Sequence, residues 1–249
     1  MDDSYFGYKS EKYGAATEIR TLGHLTRSQV LYSVELRNLR LLIPLPSMLP
    51  TKPPGLRLNE VSKATIVVEM YQDICCPFSK NMYQTVRHGV IPALSAKHLS
   101  DNIEFVWQSV PQPWHPQSGL MHDALMAAYL VDASKVAIYI DEVFARQDEF
   151  FDDKTKDLTR VQIYDQLIQI SGECGYDIPA MARLLDMERV EGNAGLEQVT
   201  QQLKWAVKYH RVRGVHVTPT VFINGIEADD VSSNWNSAQW LDKLEPMFA

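Results

Sequence analysis

Residues 73–80 read Asp73-Ile74-Cys75-Cys76-Pro77-Phe78-Ser79-Lys80, and the sequence on either side of them decides the fold. Upstream, Ala64-Thr65-Ile66-Val67-Val68-Glu69-Met70-Tyr71 is a β-branched run of strand length, closed by the polar pair Gln72-Asp73, which predicts a buried strand. Downstream, Pro77 stands where a first helical turn tolerates proline, because an N–H there would have no intrahelical partner. Met82, Val86, Val90 and Ile91 then recur at helical spacing. The stretch is a strand-turn-helix junction with Cys76 at the helix start.

Further along, Asn102-Ile103-Glu104-Phe105-Val106-Trp107 alternates as a second strand. From Ser118 to about Arg213 the period becomes helical: Leu120, Ala124, Leu125, Ala128 and Tyr129 form one stripe, and Val136, Ile140, Val143 and Phe144 another. Thr159 and Asp177 are placed to cap two further helices. Near the end, Thr218-Pro219-Thr220-Val221-Phe222-Ile223 runs into Asn224-Gly225, the pair that most strongly signals a tight hairpin, and Asn236 opens a last helix with Gln239 as its capping-box partner. The order strand, helix, strand, helical block, hairpin, helix is an α/β plan with helices inserted at about residues 116–200.

The chain has 249 residues, 45% of them hydrophobic, enough for a sizeable core in the region 61–249. Residues 1–60 read as an N-terminal extension and linker, ending in the prolines Pro44, Pro46, Pro50, Pro53 and Pro54. Within it, Val30 to Ile43 is open to two readings, a short docked element or a disordered segment. A formal charge of −7 argues against nucleic-acid binding, which draws on clustered Lys and Arg. The odd set Cys75, Cys76 and Cys174 indicates no disulfide framework and fits reducing surroundings. Met1-Asp2-Asp3-Ser4 lacks the basic start of a secretory signal, and the apolar region from Leu31 to Leu49 is broken by Glu35, Arg37 and Arg40, so the expectation is a cytoplasmic protein without a membrane span. The scattered histidines and the absence of a second cysteine pair predict no zinc site, and no Gly-rich phosphate loop is present.

Taken together, the stretch 73–80 and the stretch Gly214-Val215-His216-Val217-Thr218-Pro219 through Gly225, flanking a helical block in that order, resemble the DsbA-like branch of the thioredoxin superfamily over roughly residues 64–249. The resemblance implies a thioredoxin-like α/β fold with an inserted helical domain. It also implies a cis proline at Pro219 beside the active-site sulfur, with the Thr218 backbone free to pair with an extended thiol substrate; the alternative is an ordinary strand-start proline, and the Thr-Pro-Thr context favours the former. The family motif ordinarily ends Cys-Pro-x-Cys, whereas this chain has Ser79 in the last position, so no disulfide can close within the motif. The serine form is similar in part to kappa-class glutathione transferases, which use a serine-containing motif to bind glutathione.

A thiol at a helix N-terminus faces unpaired N–H groups and the positive end of the helix dipole, which favours the thiolate, so Cys76 is the expected nucleophile. Ser79 is expected to donate a hydrogen bond to that thiolate, and it cannot attack a mixed disulfide. Pro77, Phe78, Thr218 and Pro219 are the expected substrate contacts. Three residues are auxiliary candidates. Cys75 is a vicinal disulfide partner or, by preference, a buried small hydrophobe; Glu69 is a proton relay or a structural acid; His216 is a site histidine or a structural one. Trp114-His115-Pro116 and His122 either line a pocket over the site or are a loop and a solvated helix face, the latter favoured for His122. Cys174 reads as structural. The functional expectation is a monothiol thiol-disulfide oxidoreductase-like protein that forms mixed disulfides through Cys76 with glutathione or protein thiols, with no bound cofactor and glutathione as candidate co-substrate. A glutathione-dependent transferase or isomerase, and a redox-inactive binding module, are the alternatives.

Overall fold

The computed structural model describes residues 49–248, apart from 60 and 62. The extension up to residue 48, with the stretch Val30 to Ile43, lies outside the described residues. A two-residue strand β1 (Leu56–Arg57) comes first, then the buried strand β2 (Ile66–Gln72) and helix α1 (Pro77–Thr85). A π-helical turn at Val86–Val90 joins α1 to α2 (Ile91–Ala96), so the helical run predicted from Pro77 continues to Ala96 with a change of helix type. Gly89 sits in that turn, where a Cβ would stand 2.0 Å from Ser237 Oγ, so the glycine allows the last helix to approach closely.

Strand β3 (Ile103–Ser109) follows, and then the inserted helices: α3 (Ser118–Val131), α4 (Val136–Ala145), the short α5 (Asp152–Thr155), α6 (Arg160–Glu173), α7 (Ile178–Leu184) and α8 (Glu197–Val212). Thr159 caps α6 in a full capping box with Gln162, and the Asp177 carboxylate caps α7 through the Ala180 N–H. The chain ends with β4 (Thr220–Ile223), β5 (Ile226–Glu227) and α9 (Ser237–Leu244), the last opened by the Asn236/Gln239 capping box. Between β4 and β5, Asn224 and Gly225 both have positive φ, 49° and 84°, as a two-residue hairpin turn demands.

The sheet order is β1-β3-β2-β4-β5; β2 runs parallel to β3 and antiparallel to β4. Leu56 pairs with Trp107, and Leu56 and Leu58 are buried, so the last residues of the stretch read as a linker are part of the sheet. Trp107 lies fully buried at the centre of the core, edge-on to Tyr83 and beside Phe144, and so fastens β3 to α1 and α4. This arrangement brings the exit of β2, the start of α1 and the entry to β4 to one end of the sheet. Among the described residues no helix is long and apolar enough to cross a membrane.

Candidate functional site

Cys76 is the N-cap residue of α1, in extended conformation, with its N–H donating to the Asp73 carbonyl at 3.0 Å. Its Sγ lies 3.6 Å from the Thr218 carbonyl oxygen, and the Thr218–Pro219 peptide bond is cis. At that distance the Cys76 thiol can donate into the Thr218 carbonyl. The motif and the cis-proline loop, far apart in sequence, thus meet at the sulfur.

The other motif residues separate. Pro77 and Phe78 are exposed, whereas Ser79 is fully buried and its Oγ accepts from the Asp73 N–H at 3.2 Å. Ser79 therefore pins the turn, which departs from the expected hydrogen bond to Cys76. Cys75 points into the core: its Sγ receives the Gln117 side-chain amide at 3.1 Å and lies 3.9 Å from the Phe150 carbonyl, which Gln117 also bonds. Burial, and then the nearby Asp73 carboxylate, push the Cys75 thiol up to about 12. Cys75, Cys76 and Cys174 are all free thiols.

Glu69 is also committed elsewhere. Its carboxylate accepts from Tyr209 Oη at 2.8 Å, Gln108 Nε2 at 3.0 Å and Tyr71 Oη at 3.4 Å, and pairs with Arg213 at 3.1 Å. An acid held by a permanent guanidinium and three further donors is a tie between α8 and the sheet, not a proton relay. His216 is exposed and contributes its backbone carbonyl, which accepts from Gln112 Nε2 at 3.3 Å.

The residue that organises the site is Asp73, which the sequence presented only as the polar end of a strand. Its side chain is fully buried. Oδ1 accepts from the Cys75 N–H at 3.0 Å and Ser118 Oγ at 2.5 Å; Oδ2 accepts from the Gln112 N–H at 3.2 Å and is 2.7 Å from His115 Nδ1. His122, read as lying on a solvated helix face, is fully buried instead, with Nε2 3.4 Å from Asp73 Oδ1. The Ile74 N–H lies equally far from the same nitrogen. The Ile74 N–H donates to that nitrogen when it is unprotonated, and the Asp73 carboxylate accepts from it when it carries a proton. Burial alone would raise the Asp73 carboxyl, but the hydrogen bond and charge of His122, with the bonds from Ser118 and His115, outweigh it and bring the group down to about 2. Asp73 is a buried carboxylate anion whose backbone carbonyl accepts from the Cys76 N–H.

Three cavities, of about 560, 450 and 390 Å³, are lined by residues of the helical insertion and its flanks, and Cys76 lines none of them. The sulfur stands at a junction of loops. Among the described residues no group of three or more His, Cys, Asp or Glu side chains is placed to hold a metal ion.

The Thioredoxin family model matches residues 61–243, which takes in both motif stretches and the helices between them. The chain belongs to the thioredoxin family. No curated protein sequence matches it. Among solved structures, this thioredoxin-family chain is similar to a candidate protein-disulfide isomerase from Pseudomonas syringae, with TM-score 0.59, 22% identity and coverage of 74% of this chain and 96% of the other. It is similar to oxidised BdbD from Bacillus subtilis, with TM-score 0.58, 15% identity and coverage of 77% and 91%. The thiol-disulfide exchange protein alpha-DsbA2 from Wolbachia pipientis matches with TM-score 0.54, 14% identity and coverage of 78% and 87%. The thioredoxin-like fold with inserted helices is therefore DsbA-like in architecture.

Proposed function

We propose that this thioredoxin-family chain performs monothiol thiol-disulfide exchange through Cys76, with an external thiol completing each cycle. The observation that carries the reading is the contact of Cys76 Sγ with the Thr218 carbonyl at the cis-proline loop, at a helix start where the second motif position is a buried serine. Cys75 offers no second sulfur, because its thiol is turned into the core. In the first half-reaction the Cys76 thiolate attacks a disulfide, forming a mixed disulfide and releasing one thiol. In the second, a thiol such as glutathione attacks that mixed disulfide and regenerates Cys76. Dependence on an outside thiol fits a reducing compartment.

Polypeptide disulfides suit the surroundings of the sulfur. Phe78 is 58% exposed, Trp114 58% and Val217 61%, and these apolar side chains stand in the motif, in the loop bonded to Asp73 and next to Thr218 respectively. The buried Ser79 hydroxyl, engaged by the Asp73 N–H, speaks against a serine-based transferase site. The test is intact mass after incubation with oxidised glutathione. One glutathione per chain, lost in Cys76→Ser and retained in Cys75→Ala and Cys174→Ala, is expected. No adduct on the wild type, or an undiminished adduct on Cys76→Ser, overturns the reading.

A further inference from the structure

We propose that His115, oriented by Asp73, is the proton donor and acceptor of the exchange at Cys76; this rests on the monothiol reading above. An exchange reaction at neutral pH must protonate an alkyl thiolate leaving group and later deprotonate the thiol that completes the cycle. Cys76 itself does neither, and Ser79 and Cys75 are buried and engaged.

The geometry narrows the choice to one imidazole. Five groups surround the Asp73 carboxylate, and two of them are histidines. His122 is fully buried and out of reach of any substrate. His115 has 22% of its side chain exposed, with Nδ1 fixed on Asp73 at 2.7 Å. No protein contact to its Nε2 is found among the described residues, so that nitrogen is left for an incoming group. A carboxylate on Nδ1 fixes both tautomer and ring direction, and it stabilises the imidazolium when the second nitrogen takes a proton.

The His115 loop is joined to both halves of the sulfur site. The Gln112 N–H bonds Asp73 on the cysteine side, and the Gln112 side chain bonds the His216 carbonyl, two residues before Thr218, on the cis-proline side. His115 in turn is tied to this loop through its N–H to the Gln112 carbonyl at 3.1 Å. The groups facing His115 are Asp73, with His122 behind it, and the Trp114 ring at 6.3 Å.

The step balances as follows. The Cys76 thiolate attacks R–S–S–R′, the Cys76–S–S–R bond forms, and the electron pair leaves on R′S⁻, which takes the Nε2 proton of the His115 imidazolium to become R′SH. The entering thiol R″SH then gives its proton to Nε2, and R″S⁻ attacks the substrate sulfur, forming R–S–S–R″ and restoring the Cys76 thiolate and the imidazolium.

Leaving-group dependence tests this directly, by single-turnover reaction of the wild type and His115→Asn with two disulfides. Asn retains a donor toward Asp73 and lacks the outer nitrogen. An aryl disulfide, dithiobis(nitrobenzoate), releases a stable thiolate that needs no proton, whereas oxidised glutathione releases an alkyl thiolate that does. His115→Asn is expected to slow the glutathione disulfide reaction by about 100-fold and to leave the aryl reaction within about twofold, in the range of general acid catalysis. His115→Gln is expected to show the same split. Equal slowing with both disulfides in both variants, or no slowing with either, overturns the proposal. A wild type inert to both disulfides overturns the monothiol reading itself and this proposal with it.

Discussion

Two buried carboxylates stand four residues apart on one strand and its exit, and they have opposite uses. Glu69 faces Arg213, whose guanidinium also lies over the rings of Tyr209 at 5.3 Å and Phe222 at 4.6 Å. Arginine does not titrate in the accessible range, so this cluster is a lock between α8 and the sheet. Asp73 faces backbone N–H groups, a hydroxyl and two imidazoles, and the imidazole is the side chain whose ordinary pKa lies near neutrality. Depth of burial does not separate structural from chemical acids here. The partner's capacity to exchange a proton does.

Substitutions can break this contrast or sharpen it. The largest effect is expected from Glu69→Ala, which leaves Arg213 without its carboxylate and costs about 3 kcal/mol in urea unfolding, while the rate of Cys76 alkylation stays at the wild-type value. A fall in that rate would merge the two clusters into one site. Next is Asp73→Asn. The folded-state carboxyl lies near 2, below its ordinary value of 3.8, so its stabilisation is fully present above that ordinary value and lost as pH falls through the folded one. The difference in unfolding free energy between wild type and variant should shrink by about 2 kcal/mol between pH 4 and pH 2. A constant difference over that window would mean that Asp73 is not the anion described.

A smaller effect is expected from Cys75→Ala, about 1 kcal/mol for the lost buried sulfur, with glutathione adduct formation intact. In the wild type, iodoacetamide at pH 8 should label Cys76 and spare Cys75 until the chain is denatured, as peptide mapping would read. Trp114→Ala should be smallest in stability, within about 0.5 kcal/mol because the ring is largely exposed. It should slow exchange with a peptide disulfide several-fold more than with oxidised glutathione; equal slowing would remove the apolar rim from substrate binding.

Local chemistry made much of this fold readable. The caps at Thr159, Asp177 and Asn236, the Asn224-Gly225 turn and the proline at the start of α1 act within a few residues, where sequence spacing carries the geometry. Cys76 and Thr218-Pro219 were legible through resemblance. Asp73 was passed over, although an acid directly before the two cysteines at the end of a buried strand was a usable signal. Its partners His115, Ser118 and His122 are 42 to 49 residues away, and nothing local announces such pairings. His122 was misread because α3 buries residues all around its circumference, and on such a helix a polar residue has no solvated face to mark.

The sheet's margins have a consequence for how copies of the chain meet. Among the described residues both outer strands, β1 and β5, are two residues long, and each carries a charge, Arg57 on one and Glu227 on the other. Long bare strand edges are templates on which another chain can nucleate a growing ladder, and short charged ones are how soluble sheets resist self-templating. The polypeptide disulfides proposed above as substrates would bring that hazard to each encounter, and the two described rims give an aggregate little to build on.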